Sequence, residues 1–340
     1  MTVGGRAPAA EHVLWTGQVH CYDVDGREID CANTGQDGEY SPGRMWPVPR
    51  FVKIDDNLVL DTATDLIWPL DAGLFPYPMT WQEGLDGIRN MNREGSFDRT
   101  DWRLPHRREL RSLISHGDKN PALAQGHPFG HVFLGWYWTS TSFAREPAYA
   151  WAVHLEGGRM FYGKKESDNL VWPVCGNSRI LPRSGQSRCY DRQGLEISCS
   201  GTGQDGELAK GVAWPSPRFM RTGSGARDAL TGLSWYCAED IGSAALTWDE
   251  ALAAVRDLVR TSGFAWRLPT INELESLVDA SSHSPALPAD HPFSGQSEGY
   301  WSSTTSCFEP SWAYVLYLQK GAVGVGFKKN REFSIWPVRG

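Results

Sequence analysis

Seven cysteines carry the most legible chemistry of this 340-residue chain, at positions 21, 31, 175, 189, 199, 237 and 307. Cys21 and Cys31 enclose nine residues, and so do Cys189 and Cys199. Zinc ligands favour shorter gaps, which neither pair has. A pair closing the same short loop twice reads as two disulfides, and hence as an oxidising compartment. Cys237 and Cys307 have no cysteine partners elsewhere by repetition, and are expected to bridge one another or to be two separate buried thiols. Cys175 is left over and is expected to stay reduced.

Other groups suggest less. Asp23-x-Asp25-Gly26 hints at a calcium loop, but the matching stretch is Asp191-Arg192-Gln193-Gly194, one carboxylate short. Calcium is therefore possible and not predicted, and no cofactor is expected. The chain shows no His-Glu-x-x-His, phosphate loop, nucleophile elbow or dinucleotide fingerprint. His127 and His291 each sit in a His-Pro-Phe turn, where a backbone hydrogen bond is the simpler role. Glu109 and Glu273 lie three residues after His106 and Thr270, as helix caps do. Arg103 and Arg267, between Trp and Leu, are expected to hold buried ion pairs. No enzyme is expected.

These residues recur because the chain states one pattern twice. Thr34-Gly35-Gln36-Asp37-Gly38-Glu39 returns as Thr202 to Glu207, at an offset of 202 − 34 = 168. Trp102-Arg103-Leu104-Pro105 returns as Trp266 to Pro269, at 266 − 102 = 164. Tyr137-Trp138 returns as Tyr300-Trp301, at 300 − 137 = 163. Each copy has the length of a domain rather than of a solenoid unit. The expected layout is a tail over 1–12, a first repeat over 13–176, a linker over 177–183 and a second repeat over 184–340. The two copies are expected to superpose without exchanging segments.

Within a copy, Thr80-x-x-Glu83 and Thr247-x-x-Glu250 are capping boxes that open amphipathic helices. Trp-Arg-Leu-Pro leads into a second helix. Tyr137–Ser142 reads as a strand, and 149–155 with 159–163 as a hairpin around Gly157-Gly158. A last strand is expected over 170–174. Strand, two helices and an antiparallel sheet make an α+β domain.

A formal net charge of −7 argues against nucleic acid and gives no general pull toward anionic membranes. Local basic pairs, Lys164-Lys165 and Lys328-Lys329, read as solvated strand ends. Sixteen tryptophans are read mainly as core and sheet-end packing. No apolar run reaches transmembrane length, so no membrane insertion is expected. Residues 1–10 lack the regions of a secretory signal. Set beside the disulfides, this implies an extracellular, cell-surface or periplasmic protein whose export signal is not present in this chain.

The ordered set Cys21-Tyr22-Asp23, Thr34 to Glu39, Trp46-Pro47-x-Pro49-Arg50-Phe51, Trp102 to Leu110, His127-Pro128-Phe129 and Trp172-Pro173-Val174 is specific. With Leu246 to Leu252 and Tyr300 to Thr305 of the second copy, it resembles the Legionella collagen-like protein C-terminal domain family. The resemblance covers nearly the whole chain. It implies two tandem C-type-lectin-like domains, each with two helices and a twisted antiparallel sheet. It also implies a bacterial adhesin or binding module; the named member is a surface adhesin for sulfated glycosaminoglycans. The ligand expected here is an extracellular glycan or protein. Rival readings are a display scaffold of the retroelement-diversified or phage tail type, and a formylglycine-generating-type oxidase.

The ligand surface is expected where a fixed frame carries changed side chains, after each Tyr-Trp strand. The first copy offers Arg145, Tyr149, His154, Arg159 and Tyr162. The second offers Glu309, Trp312, Tyr317, Gln319 and Lys320.

Overall fold

The computed structural model describes residues 10–237 and 244–340. Residues 1–9 of the expected tail lie outside them. Ala10 is buried, and His12 bonds the carbonyl of Ile180 through its ring at 2.9 Å. Residues 10–12 are therefore docked rather than loose, and the linker is docked too, with Leu181 5% exposed.

Each copy builds the expected α+β unit. In the first, helix α1 (Trp81–Glu94) starts at a complete Thr80–Glu83 capping box and ends at Gly95 in the left-handed region. A short helix α2 (Arg107–Ser112) follows Trp-Arg-Leu-Pro, capped by the His106 ring and Glu109. Three antiparallel strands come next: β1 (Trp136–Ser142), β2 (Tyr149–His154) and β3 (Met160–Lys164). The second copy repeats them as α3 (Trp248–Ser262), α4 (Ile271–Ser276), β4 (Gly299–Thr305), β5 (Trp312–Tyr317) and β6 (Ala322–Phe327). The stretch 170–174 makes isolated bridges, Leu170 to Tyr137 and Val174 to Arg103, instead of the expected strand.

The two sheets are continuous. β3 pairs with β6 through Val323 and Met160, giving one six-stranded sheet in the order β4-β5-β6-β3-β2-β1. Behind it a single buried cluster runs through both copies, from Trp68, Leu110 and Trp151 to Leu274, Tyr314 and Val323. On the other face each copy keeps its own cluster. α1 packs there through Trp81, Leu85 and Ile88 against Trp138, and α3 through Trp248, Leu252 and Val255 against Trp301.

The disulfide loops depart most from expectation: each docks on the other copy. Gln18 donates to the carbonyl of Thr305 at 2.8 Å and accepts from its amide at 2.9 Å. Thr304 donates to Asp37 at 2.6 Å. The mirror set joins the second loop to the first copy. Gln186 bonds the backbone of Ser142 at 2.8 and 2.9 Å, and Thr141 donates to Asp205 at 2.6 Å. The copies thus exchange their opening segments. Local motifs in the two copies are the same, so either docking satisfies them. The sheet join at β3 and β6 places each loop beside the neighbour's sheet.

Two lysines fasten the exchange. Lys165 and Lys328 match at an offset of 163 and are 1% and 0% exposed, not solvated. Lys328 donates to the carbonyls of Tyr22 and Asp23, and Lys165 to those of Tyr190 and Asp191. Each ammonium also lies 4.0 Å from the centre of a tryptophan ring, Trp248 or Trp81. Burial pulls both lysines down to about 7.

Candidate ligand cleft at the repeat junction

The charged residues common to both copies are spent on structure. Arg103 pairs with Glu109 at 2.5 Å and Arg267 with Glu273 at 2.5 Å, as expected. Glu109 and Glu273 complete their capping boxes. A second repeated pair escaped the sequence reading. Arg50 grips Asp61 with two hydrogen bonds, and Arg218 grips Asp228. Each of these arginines also reaches the end of the short helix, donating to the carbonyl of Ser112 or of Ser276. His291 accepts from the amide of Phe293, while His127 stacks on Phe129.

The disulfides Cys21–Cys31 and Cys189–Cys199 are present. Cys175 is free, and so are Cys237 and Cys307, which corrects the expected third bridge. Their surroundings differ. The Cys237 thiol points back to the carbonyl of Trp235, two residues before it, while that of Cys307 donates to the carbonyl of Gly117 of the first copy. Asp23 folds its carboxylate onto the amides of Asp25 and Arg27, and Asp25 pairs with Lys329. Among the described residues no three His, Cys, Asp or Glu side chains converge as a metal would need.

Between the copies lies a cleft of about 220 Å³. Its first wall is the turn from β2 to β3, with Glu156, Gly157 and Arg159. Ser306, Phe308, Glu309 and Trp312, from the end of β4 to the start of β5, form the opposite wall, and Val325 of β6 is the floor. The walls are held together. The Tyr314 hydroxyl donates to the carbonyl of Gly157, and Lys119 donates to that of Phe308. A β-carbon on Gly157 would sit 3.3 Å from Phe308, so a side chain there would crowd the cleft. Glu156 lies 3.8 Å from the His154 ring, whose pKa burial holds below the usual histidine range. Phe308 is 45% exposed, a large apolar surface to leave in water.

Of the ten expected site residues, Arg159, Glu309 and Trp312 line this cleft. The other seven do not. Arg145 is exposed in the turn after β1. Tyr162 stacks on Phe143 at 3.9 Å and meets Trp151 edge-on, and Tyr149 leans on Tyr162. Tyr317 packs on Phe333 and Phe161, and His154 covers Trp136. Gln319 and Lys320 form the turn from β5 to β6, where Gln319 accepts from the amide of Ser284. Tyr162, Tyr317 and His154 are thus packing residues, because their rings close gaps between strands.

Residues absent from the sequence reading are Glu156, Ser306, Phe308 and Val325. A signal for them existed in the mismatch of the copies. At the offset of 163, Ser306 matches Phe143 (306 − 163), Phe308 matches Arg145 and Val325 matches Tyr162 (325 − 163). Phe143 and Tyr162 are the stacked rings of the first copy. Ser306 and Val325 are too small to stack, and space opens between the walls.

Residues 57–175 and 225–339 each match the Lcl C-terminal domain. The chain belongs to this family. The two matched Lcl C-terminal segments contain all six strands of the shared sheet and helices α1 to α4. Both disulfide loops lie outside them, at 21–31 and 189–199. No curated protein matches the chain in sequence.

Proposed function

We propose that this tandem Lcl C-terminal protein is an extracellular or cell-surface adhesion module that binds a glycan in the junction cleft. The observation that carries the reading is the half-buried ring of Trp312 beside exposed Phe308, rimmed by Glu156, Glu309 and Arg159. A flat apolar wall takes the C–H face of a sugar, and charged groups at the rim take its hydroxyls. Two disulfides support an oxidising compartment. Among the described residues no helix is long and apolar enough to cross a membrane.

The reading is non-enzymatic. Its support is that the repeated Arg, Glu and Lys residues are committed to ion pairs, caps and loop docking. A glycan array probed with the whole chain and with Trp312→Ala tests it. Glycans held by the wild type should weaken by more than about tenfold in the variant, as for a central aromatic anchor. Retention of the same glycans by Trp312→Ala, or of none by the wild type, would overturn it.

A further inference from the structure

The junction cleft opens where the copies differ in charge as well as in size. At the offset of 163 its residues Glu156, Gly157 and Phe308 match Gln319 (319 − 163), Lys320 and Arg145 (308 − 163). An amide and two cations thus give way to a carboxylate, a glycine and an apolar ring. Glu309 keeps the carboxylate of its match, Glu146 (309 − 163). The space left by Ser306 and Val325 is therefore lined by two carboxylates, Glu156 and Glu309, and by the rings of Phe308 and Trp312.

The charges of the cleft differ in how far water satisfies them. Glu156 is half-buried, its side chain 32% exposed. Among the described residues its one ion-pair contact is the His154 ring, at 3.8 Å. Burial and the neighbouring Arg159 hold that ring below the usual histidine range, so it is a weak counter-charge. Glu309 is exposed, and among the described residues its carboxylate has no hydrogen bond or ion pair. The positive groups are committed or solvated. Lys119 gives its ammonium to the carbonyl of Phe308, and Arg159 is exposed at the rim.

The least solvated charge of the cleft is therefore a carboxylate without a strong cationic partner. A cation brought beside it gains more than one beside an exposed carboxylate, because the local dielectric is lower. The faces of Trp312 and Phe308 favour the same sign of charge. Resting on the glycan reading above, we infer that the cleft selects an amino sugar whose amine is free. Trp312 and Phe308 take the C–H face of the ring, Glu156 receives the ammonium, and Glu309 and Arg159 meet hydroxyls at the rim. N-acetylation of the sugar removes the charge and leaves Glu156 unpaired. An acidic sugar would bring like charge to it.

Calorimetric titration of the whole chain with a glucosamine tetramer and with its N-acetylated form tests this, at physiological salt to screen long-range attraction. The free amine should bind roughly ten- to hundredfold tighter, the worth of one charge-assisted hydrogen bond. Glu156→Gln, which installs the amide the second copy carries at Gln319, should remove that preference and leave binding of the N-acetylated form unchanged. Glu94→Gln, an equal loss of charge on an exposed residue of α1, should leave the preference intact. Trp312→Ala should weaken whichever tetramer binds. Equal binding of the two tetramers, a preference that survives Glu156→Gln or falls equally in Glu94→Gln, or tetralysine bound as tightly as the glucosamine tetramer would overturn the inference. So would binding of neither tetramer. The glycan reading itself stands in each case if another glycan is held through Trp312, and falls with the inference if none is.

Discussion

Arg111 and Glu275 occupy the same position in the two copies (275 − 111 = 164), and their side chains pair at 2.9 Å across the junction. They sit on the short helices α2 and α4, 3% and 8% exposed. Had both copies kept one residue here, like charges would meet in a buried place. Opposite charges join the copies instead, and Arg107 adds a second, longer contact to Glu275 at 3.9 Å.

Removing one partner of this pair should cost much more than exchanging both. Arg111→Ala leaves the buried Glu275 carboxylate without its near partner and with Arg107 3.9 Å away, a loss of about 3–5 kcal/mol. The double exchange Arg111→Glu with Glu275→Arg should recover most of it. Urea melts of the whole chain and its variants read both numbers.

Breaking the first disulfide should loosen the second copy. The 21–31 loop receives Lys328 at Tyr22 and Asp23, and its flanks, Gln18 and Asp37, dock on Thr305 and Thr304, so Cys21→Ala with Cys31→Ala should raise amide exchange there before it does so around Ser142. A short loop of this kind contributes roughly 2–4 kcal/mol. Mass spectrometry of the untreated chain should show two bridges and three thiols, at 175, 237 and 307.

The loop interface also sets a pH dependence. Burial raises the Asp37 carboxyl to about 7, against an ordinary value of 3.8. Between those values the folded chain holds a proton the unfolded chain has lost, so this group's contribution falls as pH rises from about 4 to 7. Asp37→Asn mimics the protonated form. Its melting temperature should equal that of the wild type near pH 4 and exceed it above pH 7.

Much of this was legible in the residues. The capping boxes at Thr80, Thr247 and Thr270, the Arg103–Glu109 and Arg267–Glu273 pairs and both disulfides follow from local spacing, because the interacting groups are close in sequence. The exchange of loops was not. Gln18 and Gln186 carry the same side chain, as do Asp37 and Asp205, so nothing local says which copy each one meets. Lys165 and Lys328 were hidden for a related reason. A lysine beside another charge reads as solvated until the tryptophan and the two carbonyls that surround it are brought together from distant segments. The junction cleft is opened by what is small, Ser306 and Val325, so large aromatic residues lead to Trp312 on its wall but not to the space itself.

Division of the chain tests most directly whether the two copies form one binding unit. Residues 1–176 and 177–340 would be made separately, then mixed, and each sample followed by thermal melting and by binding of a glycan that the whole chain retains. Neither half alone should melt cooperatively or bind, and the mixture should do both, because the sheet, the core and the cleft each draw on both copies. A single half that melts cooperatively and keeps the glycan would contradict the account.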